Sequence, residues 1–408
     1  MTNNSNQQAL PLTKEVIDAW RWVTSEAGRN TLDQLNDTDD LNRQVMRLKK
    51  LGLAQPQIHA AISQCQLRPL AAKKFPDAEV MYFEKRLLQQ ATSAALADYK
   101  AGRFSQATEV VDICCGLGGD LFSLAKTKST TAIDRSPIAG ILAKANCQAL
   151  GLSSNVQTID AGDFVLPPGS WFHIDPDRRA ETGHRTTKID FFSPSIEYLE
   201  SLVKGRSGAL KLAPATRLDD RWAQAERQWL GDRRECKQQV IWVGQAARHP
   251  SRRTAAALDV AGNLLFEWQA SQEIGEYQYA EVSYADQFTD NLYEPHPCLL
   301  AAKLVDSVAD HFGLQRVQAE VDYLTGPVID FAGLTRYQIL ETLPLEVRKV
   351  KAALKSLGTG KLEIKKRGVD HRWMEPFAKL RFSGDKQLVL VLTRQQNRHV
   401  AIVCCRTE

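Results

Sequence analysis

The stretch DICCGLGGD, from Asp112 to Asp120, decides the fold class. It follows a strand that we predict over Val110–Ile113, and it opens a predicted helix, which is the context that a nucleotide-binding glycine loop requires. Glycine lets the backbone turn sharply and approach a ligand closely, while a helix N-terminus offers unpaired N–H groups to an anionic ligand. One such loop is a weak signal by itself, so the neighbouring strand ends have to agree with it.

Short β-branched runs alternate with helical segments from Glu109 to about residue 285. This alternation is typical of βαβ units and a parallel sheet, so we predict an α/β fold for this part of the chain. A hairpin is predicted from 253–258 and 264–268, which are separated by a short turn containing Gly262. The predicted parallel strands cover residues 110–113, 130–133, 156–159, 171–174, 209–212 and 240–243.

Acidic residues follow three of these strands, at the edge of the sheet where ligands bind. Asp134 ends the second strand and could accept hydrogen bonds from both ribose hydroxyl groups. Asp163 follows the third strand and could receive the exocyclic amine of an adenine. Asp175 and Asp177, in the run DPDRR at 175–179, follow the fourth strand. Each acid could instead cap a helix or form a turn, but their order and placement together favour a nucleotide site.

A nicotinamide dinucleotide is the competing ligand, because its loop is also glycine-rich and is also followed by an acid. Its fingerprint reads G-x-G-x-x-G, whereas this loop reads G-x-G-G between two acids. Carboxylates repel a pyrophosphate but suit an amino group and a sulfonium charge, so the loop favours S-adenosylmethionine as the cofactor. The residues expected to bind it are Asp112, Cys114, Gly116, Gly118, Asp120, Asp134, Asp163 and Asp175.

Composition limits the remaining possibilities. The 408 residues exceed what one hydrophobic core usually organises, so two or three domains are expected. Apolar runs such as 388–392 are far shorter than the roughly 20 residues of a membrane span, and the N-terminus lacks a secretory leader, so we expect a cytoplasmic protein without a membrane segment. The eight cysteines show no C-x2-C spacing, so no metal is expected.

The net charge of +4 is unevenly distributed. From Arg348 to the C-terminus, 15 Lys and Arg stand against 5 Asp and Glu, a net +10, whereas the preceding chain carries 37 against 43, a net −6. We interpret this basic segment as an RNA-docking region, with a solvated charged face as the alternative. Its central candidates for RNA binding are Lys365, Lys366 and Arg367, with Lys361, His371, Arg372 and Arg394 in support.

The block from Asp112 to Arg179 resembles a class I S-adenosylmethionine-dependent methyltransferase. The segment from Leu88 to Asp120 is also similar to the RNA cap trimethylguanosine synthase group, and the run GKLEIKKRGV at 360–369 resembles a bacterial methyltransferase family that carries a THUMP-like domain. Helix-spaced apolar residues, interrupted by Pro56, Pro69 and Pro76, predict several short helices in an N-terminal region at 1–105. The resemblance implies a Rossmann-like seven-stranded methyltransferase domain at 106–288 and a basic mixed α/β THUMP-like domain at 289–408. It also implies action on RNA.

The resemblance fails after the fourth strand, where base-amine methyltransferases usually carry a Pro-Pro-aromatic run whose ring stacks on the target base. Here no aromatic residue follows Asp175, although Arg178 could stack on a base or hold a phosphate, and Phe191 or Phe192 could supply a ring. The candidate catalytic residues are Asp175, Asp177 and Arg178, of which the two acids would orient the target amine or handle its proton.

Two other functions stay open. A methyltransferase that acts on a protein or a small molecule would keep the cofactor site without binding RNA. A non-catalytic RNA-binding protein would have lost the cofactor site, and the intact acids Asp112, Asp134 and Asp163 argue against that.

Overall fold

A computed structural model describes residues 12–35, 40–178, 186–218, 220–274, 282–318, 321–396 and 398–407. The chain divides into two compact units. The first holds the residues up to 225 together with 240–250 and 260–262, and the second holds 226–239, 251–259 and the chain from 263 onward. Neither unit is therefore a single continuous segment of sequence.

The first unit opens with short helices, as the interrupted apolar pattern predicts. Helix α1 begins after Thr13, whose hydroxyl accepts a hydrogen bond from the Val16 amide, and it buries Ala19, Trp20 and Val23 along one face. These helices belong to the same unit as the first strands of the sheet. The helices are α1 (Lys14–Thr24), α2 (Glu26–Leu32), α3 (Leu41–Lys50), α4 (Gln55–Ala71), α5 (Lys85–Gln90) and α6 (Ala94–Ala101).

A parallel sheet follows, in the order β3-β2-β1-β4-β5. The five strands predicted here are confirmed, and their order reverses between β1 and β4, the kind of position at which open α/β sheets bind ligands. The count of seven strands that the resemblance implies stays a prediction. The elements are β1 (Glu109–Ile113), α7 (Leu121–Ala125), β2 (Ser129–Asp134), α8 (Pro137–Ala149), β3 (Asn155–Thr158), β4 (Trp171–Ile174), α9 (Ile196–Gly205) and β5 (Gly208–Leu212).

The next four strands are β6 (Glu226–Asp232), β7 (Cys236–Val243), β8 (Arg253–Leu258) and β9 (Leu264–Gln269). The hairpin of β8 and β9 is antiparallel, as predicted, and β6 pairs with β8 in parallel. Strand β6 was not predicted, because Glu226, Arg227 and Gln228 are polar residues that the fold buries. Strands β6, β8 and β9 lie within residues 106–288, the segment predicted as the methyltransferase domain, but they belong to the second unit. Strand β7 has residues in both units.

The second unit continues with a seven-stranded sheet in the order β11-β12-β10-β13-β16-β15-β14. The apolar runs at 388–392 and 400–404 predict strands, and they lie in the last two strands along the chain. The apolar spacing from Leu299 to His311 predicts a single helix. This prediction is wrong, because Lys303 adopts a left-handed φ of 57° and separates two helices. The elements are β10 (Asn291–Pro295), α10 (Pro297–Ala302), α11 (Val305–Phe312), β11 (Gln315–Gln318), β12 (Val321–Thr325), β13 (Leu334–Pro344), α12 (Val347–Ser356), β14 (Thr359–Lys366), α13 (Glu375–Ala378), β15 (Lys386–Gln395) and β16 (Arg398–Arg406).

Two features are absent from the described ranges. No helix in them is both long and apolar enough to cross a membrane. Nor does this part of the chain bring together three or more His, Cys, Asp or Glu side chains that could hold a metal ion.

Candidate functional site

A cavity of about 930 Å³ lies in the first unit, within the size range of small-molecule sites. It is lined by residues that follow the carboxyl ends of β1, β2 and β4, by Lys211 of β5, and by side chains of α1, α4 and α5. The predicted site residues that line it are Asp112, Cys114, Gly116, Asp120, Asp134, Asp175, Asp177 and Arg178.

Asp134 connects the glycine loop to the end of β2. One carboxylate oxygen accepts a hydrogen bond from the Gly116 amide at 2.9 Å, and the other accepts one from the Ser136 amide at 2.8 Å. Cys114 and Gly116 both adopt a left-handed φ of 58°, which directs the loop backbone toward this carboxylate. Burial raises the pKa of Asp134. Each oxygen keeps a second lone pair, so Asp134 can still accept hydrogen bonds from two hydroxyl groups.

Two predicted cofactor residues, Gly118 and Asp163, do not line the cavity. Gly118 has a φ of 103°, and a Cβ atom there would collide with the Phe122 ring, so this glycine serves local packing. Asp163 is exposed on a short 3-10 turn, whereas Asp160 at the start of that turn lines the cavity and accepts a hydrogen bond from the Gly162 amide at 2.9 Å. The tight turn therefore brings a neighbouring acid to the position that we predicted for Asp163.

The two acids that flank the glycine loop have buried partners. Asp112 Oδ1 lies 2.7 Å from His173 Nδ1, while its Oδ2 is buried without a hydrogen-bond partner among the described residues. Asp120 forms an ion pair with Lys100 Nζ at 2.6 Å and accepts a hydrogen bond from the Thr92 hydroxyl at 2.7 Å. Lys100 Nζ also lies 3.2 Å from His173 Nε2, so the two acids belong to one buried network.

This network makes the two acids electrostatically different. Burial raises the pKa of Asp112 more than His173 lowers it. Burial would also raise the pKa of Asp120, but Lys100, His173 and Lys211 together outweigh it, so the pKa is lowered. Burial lowers the pKa of Lys100 itself, against the opposing effect of Asp120. Asp120 is thus an ionised residue that anchors the loop, whereas Asp112 keeps one acceptor atom for another donor.

Asp175 and Asp177 are each held by basic side chains. Asp175 Oδ2 lies 2.6 Å from Lys211 Nζ. Burial lowers the pKa of Lys211, but Asp175 and Asp120 together outweigh it, so the pKa is raised. Asp177 Oδ2 lies 3.1 Å from Arg86 Nη2 and 3.8 Å from Arg135 Nη2. Asp175 and Asp177 therefore do not face the cavity as free carboxylates, because each already has a cation beside it.

Arg178 lines the cavity, and its side chain has no ion pair or hydrogen bond within the described ranges. Arg179 lies outside the described residues. Phe192 is buried in the apolar core, Phe191 is 57% exposed, and neither lines the cavity. The structure therefore supplies no aromatic ring from the two positions that we predicted for stacking.

Three comparisons relate this chain to known proteins. A family model described as THUMP domain-like matches residues 334–406. Two relatives from strains of Mycobacterium tuberculosis, each described as an uncharacterized S-adenosylmethionine-dependent methyltransferase, are 26% identical over 339 residues, covering 79% of this chain and 88% of theirs. This chain is an S-adenosylmethionine-dependent methyltransferase. A crystal structure of a candidate methyltransferase from Porphyromonas gingivalis W83 has a similar fold, with a TM-score of 0.73 and 20% identity over 97% of this chain and 99% of that one.

Sequence reasoning missed three charged or polar residues of the methyltransferase. His173 and Lys211 lie inside strands that are otherwise apolar. A single polar residue within an apolar strand is a pattern from which both could have been predicted. Lys100 has no comparable signal, because a lysine on a short helix is ordinarily exposed.

Two cations of the basic run at 365–367 pair with acids of the same unit, and the predicted RNA contact of the run stays a prediction. Lys365 Nζ lies 2.7 Å and Arg367 Nη2 lies 3.5 Å from the carboxylate of Glu294, and Arg367 Nη1 lies 3.8 Å from Asp322. Lys366 is exposed, with its Nζ 3.5 Å from a backbone carbonyl oxygen. Successive residues of a strand point to opposite faces, so Lys365 and Arg367 share the side that carries Glu294.

Proposed function

We propose that this methyltransferase acts on RNA, with a base amine as the methyl acceptor. The observation that carries the proposal is a basic helix face in the second unit, inside the segment that matches the THUMP domain-like model. On α12, Arg348, Lys351 and Lys355 are exposed, whereas Val350 and Leu354 on the other side of the helix are buried. Spacings of three and four residues place the three cations on one face.

The cations of this face differ from those of the run 365–367. Arg348, Lys351 and Lys355 form no ion pair with any described residue, so their charge is available to a partner. An RNA backbone carries one negative charge per phosphate, and lysine and arginine side chains bind it without reading the sequence. We therefore assign the main docking role to the α12 face, while RNA binding by Lys365, Lys366 and Arg367 stays a prediction.

The first unit fits S-adenosylmethionine by the chemistry of its donors and acceptors. We propose that the free lone pairs of Asp134 accept the two ribose hydroxyl groups. The unpartnered Oδ2 of Asp112 would accept a hydrogen bond from the amino group of the methionine part, and Cys114 and Gly116 would bring the loop backbone against the ligand. Asp120 would act indirectly, by fixing the loop through Lys100.

The reaction needs alignment more than acid–base chemistry. When bound, S-adenosylmethionine would supply its methyl group to the acceptor nitrogen: a carbon–nitrogen bond would form as the carbon–sulfur bond breaks, S-adenosylhomocysteine would leave, and the nitrogen would release a proton to solvent. We propose that Asp175 accepts a hydrogen bond from that nitrogen, because Lys211 holds one of its oxygens and leaves the other available. Asp177 and Arg178 line the same cavity and would contact the rest of the acceptor.

Transfer of a labelled methyl group tests the function directly. The purified full-length enzyme is incubated with methyl-tritiated S-adenosylmethionine and, separately, with RNA, protein and small-molecule fractions of cells that lack its gene. We expect label in a nucleoside of the RNA fraction. Label confined to protein or to small molecules would contradict the RNA proposal while leaving the enzyme class intact.

Replacing the α12 face tests RNA docking. Changing Arg348, Lys351 and Lys355 to Gln should weaken RNA binding and reduce the slope of log K against log salt by roughly 0.7 to 0.9 for each phosphate that the variant no longer neutralises. S-adenosylmethionine affinity, measured by calorimetry, should stay unchanged.

A matched control removes three exposed cations that each have a local acid. These are Lys237, 2.6 Å from Glu235, Lys349, 2.9 Å from Glu346, and Arg406, 3.1 Å from Glu363. Changing all three to Gln alters the net charge equally and should leave RNA affinity much closer to that of the native enzyme. Equal losses in the two variants would mean that general charge, and not the α12 face, accounts for binding.

A further inference from the structure

Three arginines from separate parts of the first unit line the same cavity as Asp175. Arg86 lies on α5, Arg135 directly follows β2, and Arg178 follows β4. Arg86 and Arg135 are half-exposed, with 49% and 58% of their side chains accessible, whereas Asp112 is almost fully buried. The arginines therefore belong to the outer, solvent-facing part of the cavity.

Positive charge exceeds negative charge among these arginines and the acid that is paired with them. Asp177 lies within ion-pair distance of Arg86 and Arg135, so the three arginines and this acid together carry a net charge of +2. Lys211 is mostly buried, with 12% of its side chain accessible, and pairs with Asp175. Glu84, the other acid at this end of α5, caps the helix by accepting the Leu87 amide, and Lys85 offsets its charge.

The backbone holds the acid at the centre of this group in place. Asp177 and Ser193 exchange two backbone hydrogen bonds of 2.8 and 3.0 Å, and the Ser193 hydroxyl accepts a hydrogen bond from Arg135 Nη1 at 3.2 Å. Asp177 can therefore orient Arg86 and Arg135 before any ligand arrives. Guanidinium groups oriented in this way match the oxygens of a phosphate, to which arginine donates paired hydrogen bonds.

We infer that Arg86, Arg135 and Arg178 form a phosphate subsite for the nucleotide whose base receives the methyl group. The inference rests on the proposed function, because it takes the acceptor to be a nucleotide. It adds that the first unit itself holds a phosphate of that nucleotide, independently of α12. A nucleoside without a phosphate should then be a poor ligand, even when its base is the correct one.

Binding of mononucleotides tests the subsite without involving an RNA chain. Full-length enzyme is loaded with S-adenosylhomocysteine, so that no methyl transfer takes place, and is titrated by calorimetry with guanosine, adenosine and their 3′- and 5′-monophosphates. For at least one base, we expect a monophosphate to bind at least about tenfold more tightly than its nucleoside. The variant Arg86→Gln/Arg135→Gln should bring the two affinities to within about twofold.

The control variant, Arg21→Gln/Arg221→Gln, removes two arginines of the same unit that pair with acids outside the cavity, at 2.8 and 3.1 Å. It should keep the preference for the monophosphate. Equal binding of nucleoside and monophosphate up to millimolar concentration would overturn the inference, as would a preference that survives in the Arg86/Arg135 variant. A comparable loss of S-adenosylmethionine affinity in that variant would also overturn it, because the arginines would then hold the carboxylate of the cofactor.

Failure of the subsite inference can be distinguished from failure of the proposed function. If the enzyme labels no RNA, the proposed function fails, although a phosphate preference can still be measured with mononucleotides. If the subsite inference alone fails, RNA is labelled equally well by the native enzyme and the Arg86/Arg135 variant.

Discussion

Removing the ammonium group of Lys100 should destabilise the first unit strongly. The side chains of Lys100 and Asp120 are only 2% and 9% exposed, and their charged atoms lie 2.6 Å apart. Removing one partner of a buried pair leaves an uncompensated charge and costs about 3 to 5 kcal/mol. In Lys100→Met, Asp120 keeps the hydrogen bond from Thr92, so we expect the lower end of that range, about 3 kcal/mol.

A double-mutant cycle isolates the pair. Asp120→Asn leaves the Lys100 ammonium buried beside His173 and should also cost about 3 kcal/mol. The double variant removes both charges, so its loss should resemble that of one single variant, giving a coupling of about 2 to 3 kcal/mol. Because the folded pKa of Asp120 is lowered, this stabilisation is present above its unfolded pKa and is lost as the pH falls through the folded value.

The measurement is urea unfolding of the full chain, with hydrogen exchange of the β1 amides to assign the loss to the first unit. The exposed pair of Lys126 and Asp98, 2.8 Å apart with side chains about half accessible, is the matched control. The cycle of Lys126→Met and Asp98→Asn should give a coupling below about 1 kcal/mol. Additive losses at Lys100 and Asp120, or a coupling no larger than that of the control, would refute the reasoning.

Three further predictions concern other parts of the chain. Asp134→Asn should weaken S-adenosylmethionine binding by about 1.5 to 3 kcal/mol in calorimetry, since charge-assisted hydrogen bonds are lost, and an unchanged affinity would remove Asp134 from the site. Gly208→Ala should lower the unfolding free energy by at least about 2 kcal/mol, because the new Cβ would collide with the Phe172 carbonyl oxygen; wild-type stability would refute this. Burial alone would raise the pKa of Glu294, but Lys365, Tyr337 and Arg367 together lower it. Glu294→Gln should therefore abolish a stabilisation that the native chain has above about pH 4.3 and loses as the pH falls, and identical melting curves of the two proteins across that range would contradict this.

The strands of the first unit could be predicted because their apolar runs are short and are separated by helical patterns. The position of the cavity followed from the acids at the strand ends. Strand β6 could not be predicted, since its buried Glu226 and Gln228 obtain their partners only in the folded protein. The resemblance to the cap trimethylguanosine synthase group stays a prediction.

Pairing between distant residues also limited the prediction of sites. Lys365 reads as a free cation in sequence, but its acid, Glu294, lies 71 residues away along the chain. Asp163 and Asp160 are equally good candidates by spacing, and only the 3-10 turn after Asp160 decides which one lines the cavity. The charge distribution and the ends of the predicted strands locate a site in the sequence to within a few residues. Which side chains line the cavity or stay unpaired depends on tertiary contacts.

The interleaved path of the chain has a consequence for biosynthesis. Residues 240–250 of the first unit leave the ribosome after 226–239 of the second, and residues 260–262 of the first leave it after 251–259 of the second. The first unit therefore cannot be completed during translation until part of the second unit has emerged. A fragment that begins at residue 289 would retain β10 and α10 but lack β6 and β8, against which α10 packs. If such a fragment aggregates, the cause is the missing part of its core. The boundaries of an expressed fragment should therefore be chosen so that every strand of the unit is included, and not by the position of a loop in the sequence.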